Sequence, residues 1–140
     1  MNEAIELHDS VLDSVAMRDG IVVVALRPAY IHRSLGEPGV DDGSGFIQDV
    51  NIEFGMAQVE GTLGPLPSDI YEGDLEFAGV LYPYMIRLPS GSAKEARLTL
   101  HLSPDYRMIS ISGELLKVEL VSAAEYVEEF RRRLPPCGTV

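Results

Sequence analysis

The chain has 140 residues, of which 46% are hydrophobic and 24% are charged. These proportions are close to the globular average and exclude a wholly disordered chain. The 22 acidic and 11 basic residues give a formal net charge of −11. That charge repels a phosphate backbone and an anionic lipid surface, so we expect no nucleic-acid partner and no membrane partner, while a cationic partner would be attracted.

The cysteine count and the hydropathy pattern narrow the class further. Cys137 is the single cysteine, so no disulfide can form within the chain and a disulfide-rich secreted scaffold is excluded. No apolar run approaches the roughly 18 residues of a membrane span. The opening decapeptide MNEAIELHDS lacks the basic start and apolar segment of a signal peptide. We therefore expect a cytoplasmic protein.

Strand patterns dominate the first half of the chain. In AIELHDS, residues 4–10, Ile5 and Leu7 fall on one face of a strand and Glu6 and His8 on the other. The pair Asp19-Gly20 predicts a tight hairpin turn before the β-branched strand IVVVAL. A loop rich in Gly, Pro and Asp then begins at Leu35. Residues 46–61 alternate again, and their apolar parity shifts near Gly55, which predicts a β-bulge.

The second half continues this pattern until its last twenty residues. ARLTLHL, residues 96–102, places three leucines on one face and polar residues on the other. Ser122 and Glu125 then form a capping-box pattern, which predicts a helix over residues 123–134. Its apolar stripe would consist of Ala123, Val127, Phe130 and Leu134.

We therefore predict a mainly β protein with one domain over residues 1–134 and a tail over residues 135–140. The spacing of the strands fits an antiparallel β-sandwich or a partly open β-barrel of about 8–10 strands with one short C-terminal helix. The pattern favours neither architecture over the other.

His8, Asp9 and Ser10 are the three residue types of a hydrolase triad. If they continue a strand, however, Asp9 points away from its neighbours, and His8 and Ser10 are about 6.6 Å apart along the strand. That separation is too large for a base and its nucleophile. We expect Asp9 and Ser10 to bond backbone groups where one strand gives way to the next.

The remaining polar candidates suggest binding more than catalysis. His8 and His32, with the carboxylates of Asp49 and Glu53 on one strand face, are the predicted ligand-binding residues. No two histidines have the short spacing of metal ligands, so we expect no metal site, no catalytic residue and no cofactor. Tyr82 and Tyr84 share a strand face and predict a protein interface, with a protein partner or a second copy of the chain.

The N-terminal stretch IELHDSVLDSVAMRDGIVVVALRPAYIHRS resembles small uncharacterised bacterial β-rich proteins, among them toxin-immunity families, whose first strand ends in HDS or HDC. The resemblance covers residues 4–34, with a weaker similarity over residues 112–130. It implies a small bacterial β-rich protein that serves as an interaction module, and it assigns a catalytic role to none of these residues.

The functional expectation is a non-catalytic binding or protein-interaction module. The alternative is a small-molecule-binding barrel or a hydrolase-like enzyme with a cleft of histidines and carboxylates. The two classes differ in one structural respect, because an enzyme needs at least two of the histidines to meet a carboxylate in one cleft.

Overall fold

The computed structural model describes residues 1–88 and 93–131. Within these ranges the chain forms ten β-strands and no helix, which confirms the mainly β class. None of the described residues belongs to a helix long and apolar enough to cross a membrane. The strands are, in chain order, β1 (Asn2–Glu6), β2 (Val11–Arg18), β3 (Ile21–Ser34), β4 (Gly43–Gly61), β5 (Ser68–Phe77), β6 (Val80–Pro83), β7 (Met85–Leu88), β8 (Lys94–Leu102), β9 (Arg107–Leu120) and β10 (Glu125–Phe130).

Six of these strands are linked by antiparallel pairing into a ring. β2 pairs with β3, β3 with β4, β4 with β9, β9 with β8, β8 with β5, and β5 with β2. The seam between β5 and β2 is the shortest, because only Val11 and Leu12 of β2 take part in it. β6 forms a hairpin with β5 beside the ring.

β3 and β4 extend beyond the ring and take new neighbours there. The register of the two strands shifts between Leu26 and Ala29. This shift contains Pro28, which has no N–H to contribute to regular pairing. Before this point β3 pairs with β2, and after it β3 pairs with β1. We call the extension the flank, and its strand order is β10–β4–β3–β1–β7.

Alternating side chains of the ring and the flank fill one hydrophobic core. In β8 the side chains of Leu98, Leu100 and Leu102 are fully buried, as their period-two spacing predicts. Burying one large aliphatic side chain contributes about 1.5–3 kcal/mol to folding. The largest fully buried side chains elsewhere are Phe54, Ile5, Leu7, Leu12, Leu26, Ile31, Ile52, Ile70 and Ile86.

The predicted hairpin turn and the predicted bulge are both confirmed. Asp19 and Gly20 connect β2 to β3 with φ angles of 54° and 78°, the two positive values that a type I′ turn requires. In β4 the register with β9 shifts between Gly55 and Gln58. Met56 lies within this bulge at a φ of 47°, and its side chain is exposed.

The predicted helix over residues 123–134 is wrong in its described part. The chain instead forms β10, which pairs with residues 43–47 at the edge of β4. Ser122, the expected helix cap, accepts a hydrogen bond on Oγ from the backbone N–H of Asp49 at 2.9 Å. Residues 132–140, which include the predicted tail, lie outside the described residues.

Residues 125–130 form a strand because a distant segment of the chain pairs with their backbone. Residues 43–47 of β4 present an open row of N–H and C=O groups beyond the ring, and β10 satisfies them. Intrinsic helix propensity is a weak preference that tertiary pairing readily overrides. Tyr126, Val127 and Phe130 are aromatic or β-branched, so they suit a strand once such an edge is present.

Candidate functional site

The outer face of the flank places a carboxylate beside a buried histidine. Ile5 of β1 and Ile31 of β3 point into the core, so the next residue along each strand points outward. Glu6 and His32 meet there, with His32 Nε2 2.8 Å from Glu6 Oε2. The His32 side chain is 8% exposed, so this contact is largely shielded from water.

Three rings form an aromatic wall beside this pair. His32 lies between Tyr30 and Phe130, with ring-centroid distances of 5.2 Å and 4.8 Å respectively. The Tyr30 hydroxyl donates a hydrogen bond to Glu128 Oε1 at 2.8 Å. Burial and this bond raise the pKa of the Tyr30 hydroxyl, so the group stays protonated and remains a donor at neutral pH.

A bulge in β10 brings Glu128 and Phe130 to this wall. Tyr126 pairs with Phe46, but Glu128 pairs with the adjacent Gly45. One extra residue in β10 therefore moves its side chains to the opposite face of the flank. Gly45 leaves the space they need, because a Cβ atom there would lie 3.0 Å from Cε2 of Phe130 and would collide with the Tyr30 hydroxyl.

The turn after β1 brings a second carboxylate to Glu6. The backbone N–H of Ser10 donates to the carbonyl of Leu7 at 3.0 Å, and the Ser10 hydroxyl donates to the carbonyl of Glu6 at 2.7 Å. The same hydroxyl accepts the backbone N–H of Tyr30 at 3.0 Å. This folded turn directs the Asp9 carboxyl toward Glu6, and carboxyl oxygens of the two residues lie within 4.8 Å of each other.

The two carboxyl groups have opposite pKa shifts. Burial and the neighbouring Glu6 carboxyl raise the pKa of Asp9, since both disfavour a second negative charge. The hydrogen bond with His32 lowers the pKa of Glu6 against the opposing effect of burial. Glu6 is therefore the member of the pair that holds its charge to lower pH.

A cavity of about 360 Å³ opens over these groups, and we call it the acid–aromatic pocket. Its other wall is the tip of the β3–β4 connection, at Gly39 and Val40. One described basic residue, the exposed Arg131, lines it. The remaining lining consists of four carboxyl-bearing side chains and two rings, those of Glu6, Asp9, Asp41, Glu128, His32 and Phe130.

The structure brings some of the predicted ligand-binding residues together and not others. His8 is exposed and lies beside the pocket, with Nδ1 3.2 Å from Asp9 Oδ1. His32 pairs with Gly45 in β4. Asp49 and Glu53 follow four and eight residues later, which is about 13 Å and 26 Å along a strand.

Asp49 and Glu53 have separate surroundings. The carboxylate of Glu53 lies 3.0 Å from Lys117 Nζ on the neighbouring strand β9. Asp49 lines a different, shallow pocket together with Ser122, away from both histidines. The carboxylates that accompany His32 are those of Glu6, Asp9 and Glu128 instead.

The tyrosines predicted as an interface line an apolar pocket of about 300 Å³. Tyr82 lies at the end of β6, and Tyr84 follows it with an exposed side chain and a φ of 68°. Pro38 and Met85 form part of the same pocket. It adjoins the acid–aromatic pocket, because Gly39 and Val40 line both.

Sequence reasoning missed most members of the site for identifiable reasons. Ser10 bonds backbone groups as expected, but the Asp9 carboxyl faces Glu6 and His8. The sequence does carry one signal for this pair, because Glu6 and Asp9 are three residues apart and a turn between them brings such residues close together. Glu128 was hidden by the helical interpretation of its segment, because a helix would have placed it on the solvated face.

No protein-family model, curated protein or solved structure matches this chain. What the acid–aromatic pocket can bind therefore follows from its own geometry and charge. Carboxylates beside aromatic faces attract cations, through charge-assisted hydrogen bonds and through the ring quadrupole. Ser10 lies next to the pocket and is 1% exposed. Its hydroxyl already donates to the carbonyl of Glu6 and accepts the N–H of Tyr30, so it is not placed to act as a nucleophile.

Proposed function

We propose that the protein is a non-catalytic binding module that recognises an arginine side chain of a partner protein at the acid–aromatic pocket. The observation that carries this proposal is the Glu6–Asp9 carboxyl pair beside the rings of His32 and Phe130, whose centroids lie 4.8 Å apart. A guanidinium group is planar and donates hydrogen bonds in a fixed fork. It can therefore bond a carboxylate while its flat face packs on an aromatic ring.

The electrostatics of the pocket support a cationic ligand. Arg131 contributes one positive charge against four carboxyl groups, so the pocket stays net negative even with Asp9 protonated. The formal charge of −11 adds a long-range attraction to a basic partner. Such a field increases the rate of association and favours partners of opposite charge.

We infer further that the six-stranded ring is a closed barrel, and this inference bears on the small-molecule alternative. The interior of the ring is occupied by the fully buried side chains of the core. A barrel of this size has room for packed side chains or for one small ligand. The filled interior therefore supports binding on the outer surface of the flank.

The test is a titration of a short acetylated peptide containing two arginines, followed by NMR at low ionic strength. We expect the ring signals of His32 and Phe130 to shift. Glu6→Gln should weaken binding about tenfold, because it removes a charge-assisted hydrogen bond worth about 1.5 kcal/mol or more. The matched control is Glu60→Gln, an exposed position near the far end of β4 with the same change of net charge.

Glu60→Gln should change the affinity by no more than about twofold, as is usual for a surface substitution. Equal weakening by Glu6→Gln and Glu60→Gln would show a general charge effect and would refute the pocket as the site. Binding of an equivalent peptide with two glutamates would refute the cationic specificity. Hydrolysis of the peptide during the titration would favour the enzymatic alternative.

A further inference from the structure

A second, smaller cavity lies on the outer surface of the ring, between β5 and β8. Its volume is about 120 Å³, and we call it the His101 pocket. Glu72 and His101 are paired neighbours on these two strands, and Asp74 lies on the same face two residues further along β5. Pro83 and Tyr84 close one side of the cavity.

His101 carries a nitrogen atom that has no partner. Its ring stacks on Tyr106 with centroids 4.6 Å apart and an interplanar angle of 23°. The Nδ1 atom is buried and makes no hydrogen bond. It lies 3.7 Å from Glu72 Oε1, beyond the range of a hydrogen bond. Buried polar atoms are almost always satisfied, so an orphaned one at a cavity points to a missing ligand.

The carboxylate of Glu72 beside this nitrogen is bonded by an aromatic residue. The Tyr106 hydroxyl donates a hydrogen bond to Glu72, and this bond raises the pKa of Tyr106 to about 12. The Tyr71 ring packs edge-on against Tyr106 at 5.0 Å. Burial raises the pKa of Asp74, the charge of His101 opposes this shift, and the negative charges of Glu72 and Glu76 add to it.

We propose that the His101 pocket binds a primary ammonium group on an aliphatic chain. The carboxylates of Glu72 and Asp74 and the free Nδ1 of His101 supply three hydrogen-bond acceptors around one cavity, and an ammonium group has three N–H donors and no acceptor. The volume corresponds to about four water molecules, which is enough for the charged head and the first methylenes. The face of Tyr84 offers these methylenes an apolar contact.

Other cations suit the pocket less well. A quaternary ammonium ion has no N–H to satisfy His101, and its methyl groups would occupy the acceptor positions. A metal ion needs its ligand atoms close together. Among the described residues, the group of three whose ligand atoms all lie within 4.8 Å of one another is Glu6, His8 and Asp9, and the His101 pocket holds no such group of three. The His101 pocket shares no residue with the acid–aromatic pocket.

The experiment is an NMR titration with n-butylammonium chloride at a pH above the titration of histidine, monitored at the ring signals of His101. Nα-acetyl-lysine methylamide, whose side-chain ammonium group is free, is the second probe and represents a lysine of a partner protein. Glu72→Gln and Asp74→Asn should each weaken butylammonium binding about tenfold. Glu95→Gln near the start of β8, exposed and outside the pocket, should change it by no more than about twofold.

Tetramethylammonium chloride should bind at least about tenfold more weakly than butylammonium. If it binds equally well, the cavity is an unspecific cation site and the proposal is wrong. No change of the His101 signals at millimolar butylammonium would equally overturn it. Binding of butylammonium but not of Nα-acetyl-lysine methylamide would assign the pocket to free amines. None of these outcomes alters the arginine-peptide result, so the two proposals can fail separately.

Discussion

Ser10 is a residue type of the hydrolase triad, but in this fold it has a structural role. Its hydroxyl joins the carbonyl of Glu6 to the N–H of Tyr30 in the interior. We expect Ser10→Ala to lower the free energy of unfolding by about 1–3 kcal/mol, because a buried donor loses its partner. Urea denaturation measures this. Ser44→Ala, whose exposed hydroxyl bonds Glu129, is the control and should cost about 0.5 kcal/mol or less.

Asp9 and Glu6 should have opposite effects on the pH dependence of stability. The pKa of Asp9 is raised above its ordinary value of 3.8, so its contribution to stability is lost as the pH rises through the raised value. Asp9→Asn cannot ionise, and we expect this variant to be more stable than the wild type at neutral pH. The difference should shrink as the pH falls toward 3.8.

Glu6→Gln provides the complementary measurement. The lowered pKa of Glu6 gives a stabilisation that is present above its ordinary value of 4.5 and is lost as the pH falls through the lowered value. This variant should therefore be less stable than the wild type at neutral pH and approach it in acid. Thermal unfolding of both variants across this pH range tests the pair, and parallel curves for the two would contradict the assignment.

At the scale of elements, the docking of β10 depends on the absence of a side chain at Gly45. In Gly45→Ala the new methyl group meets the Tyr30 ring, with Cζ at 2.7 Å, and the Phe130 ring. Overpacking of this kind costs about 1–3 kcal/mol. Chemical denaturation should show this loss, together with weaker binding of the arginine peptide at the acid–aromatic pocket.

A double-mutant cycle separates this collision from a general effect of alanine at Gly45. Tyr30→Phe removes the hydroxyl that the methyl group would meet first. In that background Gly45→Ala should cost measurably less than in the wild type, because the two positions are in contact and their effects are not additive. Strictly additive losses would show that Tyr30 does not cause the strain.

Elements with their own local signal could be predicted from sequence, and elements defined by a distant partner could not. The period-two spacing of Leu98, Leu100 and Leu102 is enough to predict that they are buried. The pair Asp19-Gly20 is likewise enough to predict its turn. Phe130 becomes part of a strand only because β4 offers an edge some eighty residues earlier in the chain. The candidate site was hidden for the same reason, since it combines β1, β3 and β10.

At the scale of the whole molecule, the ring is unequal around its circumference. β2 and β5 pair at Val11 and Leu12 only, whereas β3 and β4 pair along most of their length. Local opening requires fewer broken contacts at the shorter seam. We expect amide hydrogens of β2 and β5 at this seam to exchange faster than those that join β3 to β4. Equal protection at both seams would contradict this expectation.

The bulge at Val127 sets the face on which Glu128 and Phe130 lie. Val127 is the extra residue, so deleting it would leave Tyr126 opposite Phe46 and Glu128 opposite Gly45, and the pocket would keep both side chains. Regular pairing of the full segment, with Val127 opposite Gly45, would instead turn Glu128 and Phe130 to the opposite face of the flank. The Tyr30 hydroxyl would then lose its acceptor and His32 a neighbouring ring, although the sequence would be unchanged. The pocket therefore depends on the register of β10, and most substitutions at Val127 itself, which is exposed, should leave it in place.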